Sequence, residues 1–116
     1  HVGGDDFVII KKDGDMISLL DAIADDFANN IQSLYKREDR ERGYIVSRNR
    51  RGEIEKFQIV TISIGVISVK ESTRLDMDAF SKLIARAKKG SKQIMGNSYY
   101  CCDSIGNVLS EKSISA

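Results

Sequence analysis

Two glycines and two carboxylates stand together at Gly3-Gly4-Asp5-Asp6, followed at once by the apolar run Phe7-Val8-Ile9-Ile10. A glycine pair carries no Cβ, so its backbone amides can come close to a phosphate and its φ angles are free to turn positive. Side chains alternate along a strand, so the two aspartates of an extended segment point to opposite faces. One of them can then aim at a divalent metal held against the phosphates, for which carboxylate oxygens are suitable hard ligands. The same four residues also fit an ordinary hairpin turn, because Gly-Gly and Asp beside an apolar run is common turn chemistry.

The elements that must position these residues follow from hydrophobic periodicity. Phe7 to Lys11 is predicted as a buried strand, ended by the turn Lys12-Asp13-Gly14. From Met16 to about Arg40 the apolar residues Ile17, Leu20, Ile23, Ala24, Phe27, Ile31, Leu34 and Tyr35 recur at helical spacing, with Asp13 or Asp15 as the cap. The mixed-charge stretch Lys36 to Arg42 continues this helix as a solvated end that stops at Gly43. Tyr44-Ile45-Val46 and the stretch from Ile54 to Val69 read as strands around Arg48-Asn49-Arg50-Arg51-Gly52, a β-hairpin with a basic tip. Three arginines there are able to grip a phosphate or simply to keep the tip wet.

Thr61 to Val66 is apolar enough for a central strand, in which Gly65 permits a bulge or a close backbone approach. A loop through Ser72 to Asp76 supplies a cap, and Met77, Phe80, Leu83, Ile84, Ala87, Ile94 and Met95 mark a second amphipathic helix ending near Gly96-Asn97. Tyr99 to Asp103 is expected as a short last strand, with a loose polar tail over 104–116. The succession predicts an α/β (α+β) sandwich, with helices packed on a mostly antiparallel sheet.

Three segments carry a family resemblance. Gly3-Gly4-Asp5-Asp6-Phe7 resembles the signature of GGDEF domains, the diguanylate cyclases of bacteria. Thr61-Ile62-Ser63-Ile64-Gly65-Val66 is similar to that family's Thr-x-Ser-Ile-Gly-Val strand, and Ser91-Lys92-Gln93-Ile94-Met95-Gly96-Asn97 to its closing Ala-Lys-x-x-Gly-Arg-Asn. The likeness spans residues 1–103. Tyr35, Asp39, Gly43, the Arg51-Gly52 turn and Gly96-Asn97-Ser98-Tyr99 further resemble the subgroup in which a GGDEF domain follows EAL and CBS domains.

The resemblance implies a palm-like, nucleotidyl-cyclase-type fold whose N-terminal part, with a first strand, precedes this chain. It implies two such domains facing each other, each with one GTP and magnesium or manganese. The 3′-hydroxyl of one nucleotide attacks the α-phosphorus of the other, giving cyclic di-GMP and releasing pyrophosphate. Gly3 and Gly4 match the glycines that admit the phosphates, Asp5 the metal-binding acid and Lys92 the lysine on the phosphates. Asp6 stands where the family has glutamate, and Gly96 where it has arginine. The second metal-binding aspartate, the guanine-reading residues and the product-inhibition site all belong upstream. Implied partners are GTP, a second GGDEF domain and fused sensory or EAL/CBS domains.

Composition bounds these expectations. The 116 residues suit one domain, and 41% hydrophobic residues can build a core. With 18 basic and 17 acidic side chains, the charge of +1 creates no field that would gather nucleic acid. No segment has the length of a bilayer span or the pattern of a signal peptide, which predicts a cytoplasmic location. His1 is the lone histidine, which excludes histidine-based catalysis. Cys101 and Cys102 are adjacent and read as free thiols on opposite faces of a strand.

Overall fold

The computed structural model describes residues 4–12, 14–70 and 74–113. Helix α1 spans Met16–Ile31 and opens on Asp15, whose carboxylate accepts from the Ser18 amide at 3.2 Å and the Ser18 hydroxyl at 2.5 Å. That satisfies donors that a first helical turn otherwise leaves unpaired. Asp13, the alternative cap, lies outside the described residues. The helical stretch does not run unbroken to Arg40. A 3-10 turn over Gln32–Leu34 ends at Tyr35, and α2 restarts over Arg37–Arg42. Tyr35 takes an extended conformation, and its hydroxyl accepts from the Val60 amide at 3.1 Å. The break accompanies this tertiary contact, which periodicity does not report. α2 stops as expected at Gly43, in the left-handed conformation.

The hairpin forms as expected. β1 (Tyr44–Arg48) pairs antiparallel with β2 (Ile54–Gln58) in a two-stranded sheet of its own. A second sheet has the order β3-β4-β5, with β3 at Ser63–Ser68, β4 at Ser98–Asp103 and β5 at Val108–Ser113. β3 runs parallel to β4 and β5 antiparallel. Between β3 and β4 lies α3 (Met77–Lys92), capped by Asp76, which accepts from the Ala79 amide at 2.7 Å. The result is a mixed α+β fold with packed helices and two small sheets.

Three elements differ from what their sequence predicts. Among the described residues the strand at 61–66 is an edge strand, not a central one. The stretch after Asp103 is not loose: β5 pairs with β4 through Val108–Ser113, because Asp103 accepts from the Ile105 and Asn107 amides and turns the chain back. Residues 7–12 form no regular strand, and Phe7 and Ile10 are 73% and 93% exposed. A strand is stabilised by its neighbours, and the registers of the two sheets do not extend to this run.

The pleat divides the three-stranded sheet between two helices. Ile64, Val66, Tyr99 and Cys101 face α1, where Leu20 completes the buried cluster and Met16 packs at its edge. Gly65, between Ile64 and Val66, faces α3. A Cβ there would stand 2.7 Å from the Lys88 amide nitrogen and 2.8 Å from the Ala87 carbonyl carbon. Gly90 repeats this on the helix side, where a Cβ would meet the Tyr100 ring at 2.7 Å. The close approach allowed at Gly65 by the sequence is therefore the one that seats α3.

Cys101 and Cys102 are free and buried, one on each face. Burial pushes both thiols upward in pKa, so they stay protonated and unreactive at neutral pH. Gly65→Val forces backbone of α3 away from β3, and a loss of about 1–3 kcal/mol is expected in urea denaturation; an unmoved midpoint would show that α3 is not seated by this contact.

Candidate functional site

Asp6 is the residue that tertiary structure places most specifically. Its carboxylate receives the Lys88 ammonium at 2.6 Å, across 82 positions of sequence. Lys88 lies on α3, the helix held against β3 at Gly65. The seating of that helix therefore sets where the cation stands. Lys92 follows four positions later on the same helix face. Its charge adds to that of Lys88 in holding the Asp6 carboxyl below its ordinary pKa, the Lys88 hydrogen bond being the main cause.

Gly4 and Asp5 form the turn that leads into this contact, and Asp6 makes an isolated bridge rather than entering a strand. Gly4 has φ of 55°, the left-handed region that glycine adopts without strain. A Cβ on Gly4 would meet nothing within 4 Å, so conformation and open access, not tight packing, call for glycine. Asp5 is exposed. The aspartates thus differ through turn geometry rather than through opposite faces of a strand: Asp6 is tied to α3, and Asp5 is open to solvent. Gly3 lies outside the described residues.

The last turn of α3 and the turn that follows it are closed by local hydrogen bonds. The buried Ser91 hydroxyl donates to the Lys88 carbonyl at 2.8 Å, and the buried Ser98 hydroxyl donates to the Ser91 carbonyl at 2.7 Å. Asn97 accepts from the Ile62 amide at 2.9 Å and aligns the entry of β3 with the start of β4. Gly96 sits at φ of 79°. An arginine there would bear left-handed strain of about 1–2 kcal/mol, so the turn itself calls for glycine.

Sequence reasoning singled out Asp5, Asp6, Gly4 and Lys92, and the structure brings Asp6 and Lys92 to one face of α3. It missed Lys88, the direct partner of Asp6. The available signal was its spacing, since Lys88 precedes Lys92 by one helical turn. Chemically, one exposed carboxylate and two lysines flank an open glycine turn. That set suits an anion accompanied by a hard cation. Among the described residues, no group of three or more His, Cys, Asp or Glu side chains could by itself hold a metal ion. A magnesium or manganese ion here would depend on Asp5 together with phosphate oxygens and water rather than on a protein cage.

No protein-family model matches this chain, and no curated protein or solved structure matches it. Among the described residues no helix is long and apolar enough to cross a membrane.

The depressed Asp6 pKa makes the ion pair acid-sensitive. Its contribution to stability is present above the unfolded carboxyl pKa and is lost as pH falls through the lower, folded value. Carboxyl NMR is expected to place the Asp6 midpoint below 3.8 and to move it toward 3.8 in Lys88→Met. An identical midpoint in the two proteins would remove Lys88 as the cause.

Proposed function

We propose that the chain is part of a GGDEF-type domain of cyclic di-GMP signalling, a palm-like nucleotide module that condenses two GTP into cyclic di-GMP when complete and dimeric. The observation that carries this reading is the joining of the Gly4-Asp5-Asp6 turn to the lysine face of α3 through the 2.6 Å Asp6–Lys88 contact. In this reading Gly3 and Gly4 admit the triphosphate and Lys92 binds it. Asp5 would hold magnesium or manganese, which supplies charge neutralisation when bound. Asp6 keeps the signature turn against α3, so that turn and lysine face one ligand from two sides. The gain is positional, because phosphoryl transfer depends chiefly on alignment and charge stabilisation.

A second reading is favoured by two specific features. Lys88 occupies the Asp6 carboxylate, and the left-handed Gly96 replaces the arginine of the family's closing motif. Both suit a module that binds GTP without turning it over and regulates an attached domain such as an EAL phosphodiesterase.

The full-length protein with magnesium separates these readings. GTP at about 100 times its Kd is expected to stabilise the fold by about 2.7 kcal/mol. Lys92→Ala is expected to weaken that binding about tenfold, as loss of one charge-assisted hydrogen bond would. The cyclase reading further expects cyclic di-GMP at protein concentrations that favour dimers, and its loss in Asp5→Ala. Binding without product leaves the regulatory reading standing, whereas an unchanged melting temperature with GTP sinks both.

A further inference from the structure

The β1–β2 hairpin sorts its charges in a way that its sequence order conceals. Opposed residues in an antiparallel pair share a face. The register Tyr44↔Gln58, Val46↔Lys56 and Arg48↔Ile54 therefore gathers one set, while Ile45↔Phe57 and Ser47↔Glu55 gather the other. The first face holds Arg48 and Lys56 and no carboxylate. The second holds Glu55, which shares the Asn49 amide with Glu53 at 3.2 and 3.4 Å.

This register forgoes the cross-strand ion pairs that would stabilise a hairpin by about 0.2–1 kcal/mol each. Lys56 opposes Val46, Arg48 opposes Ile54 and Glu55 opposes Ser47. The basic face also leaves Val46 and Ile54 47% and 69% exposed, as diagonal neighbours between its cations. Tyr44 closes one end, with the Arg42 guanidinium 4.8 Å and the Lys56 ammonium 4.9 Å from its ring centre. Arg42 is partly neutralised by Asp39, which leaves Arg48 and Lys56 as the cations of this face. Arg48 is held in place by donation to the Gly52 carbonyl at 2.7 Å.

We propose that this face, formed by Tyr44, Val46, Arg48, Ile54 and Lys56, docks an acidic amphipathic segment of a partner protein. Carboxylates of the partner meet Arg48 and Lys56, and its apolar side chains cover Val46 and Ile54. Charge complementarity selects the partner's sign, and the apolar pair selects protein over other polyanions. Nucleic acid fits less well, because Arg42 and Lys56 already stand at the Tyr44 ring, the one aromatic group of this face, and compete with a base for it. A membrane fits less well too, because the leading tip Asn49-Arg50-Arg51-Gly52 carries no bulky apolar group to insert.

The test uses fluorescence anisotropy of the full chain with a labelled eight-residue peptide of alternating glutamate and leucine. A glutamate–serine peptide, phosphatidylserine vesicles and a single-stranded oligonucleotide serve as comparison probes. Binding of the glutamate–leucine peptide is expected, weakened about tenfold or more in Arg48→Glu/Lys56→Glu and again in Val46→Ser/Ile54→Ser, as loss of desolvated contacts predicts. Arg50→Glu/Arg51→Glu, at the tip, is expected to change it less than about threefold. Circular dichroism identifies any variant that fails to fold, and the other pair then decides. Absence of peptide binding, equal binding of the glutamate–serine peptide, or equal loss in the tip variant would overturn the proposal. So would a preference for vesicles or oligonucleotide that the face variants abolish.

Discussion

A helix can rest on a sheet at backbone distance only where the strand presents no side chain. Gly65 provides that place in β3, and Gly90 provides its counterpart in α3 beneath the Tyr100 ring. Once α3 is seated there, Lys88 and Lys92 have fixed positions, Asp6 finds its cation and the turn through Gly4 and Asp5 is drawn to the helix. The opposite sheet face is then free for α1, whose Leu20 packs with Tyr99 and Cys101. A side chain at position 65 would disturb the site before it disturbed the α1 cluster, because its nearest neighbours are the backbone atoms of Ala87 and Lys88 themselves.

The core that follows from this arrangement is small. Leu20, Ala24, Ala87, Tyr99, Cys101 and Cys102 are the buried apolar residues among those described, while Phe7 to Ile10, Leu34, Ile54 and Met95 remain exposed. The radius of gyration is 16.7 Å, against about 13 Å for a compact domain of this length. Buried polar groups compensate in part by local closure. Ser91 and Ser98 each donate to a nearby carbonyl, so the turn after α3 is held by hydrogen bonds where apolar contacts are few.

Legibility differed by type of element. The bodies of both long helices, the hairpin and the Asp15 and Gly43 ends were readable, because periodicity and capping are local, whereas the first helical run breaks at Tyr35 and the second stops at Lys92 rather than near Gly96. The strand at Phe7 to Lys11 was not readable, because an apolar run becomes a strand only by joining the ladder of a sheet, which is set by elements distant in sequence. β5 was missed for the converse reason: Leu109 and Val108 are surrounded by polar residues, and what makes the segment a strand is the Asp103 turn that returns it to β4. In the site, Asp5, Asp6, Gly4 and Lys92 could be named from their types, whereas Lys88 emerged only from its contact with Asp6.

By itself, the amino-acid sequence determined the chemistry on offer: a glycine turn with two carboxylates, lysines spaced by one turn on a helix, and basic and acidic residues interleaved along a hairpin. Tertiary structure alone decided which carboxylate is engaged and which is open, and which hairpin charges share a face. The physical reason is that charge type and periodicity are properties of neighbours in the chain. Pairing of Asp6 with Lys88, or of Lys56 opposite Val46, instead depends on strand register and helix seating set by contacts far apart in sequence.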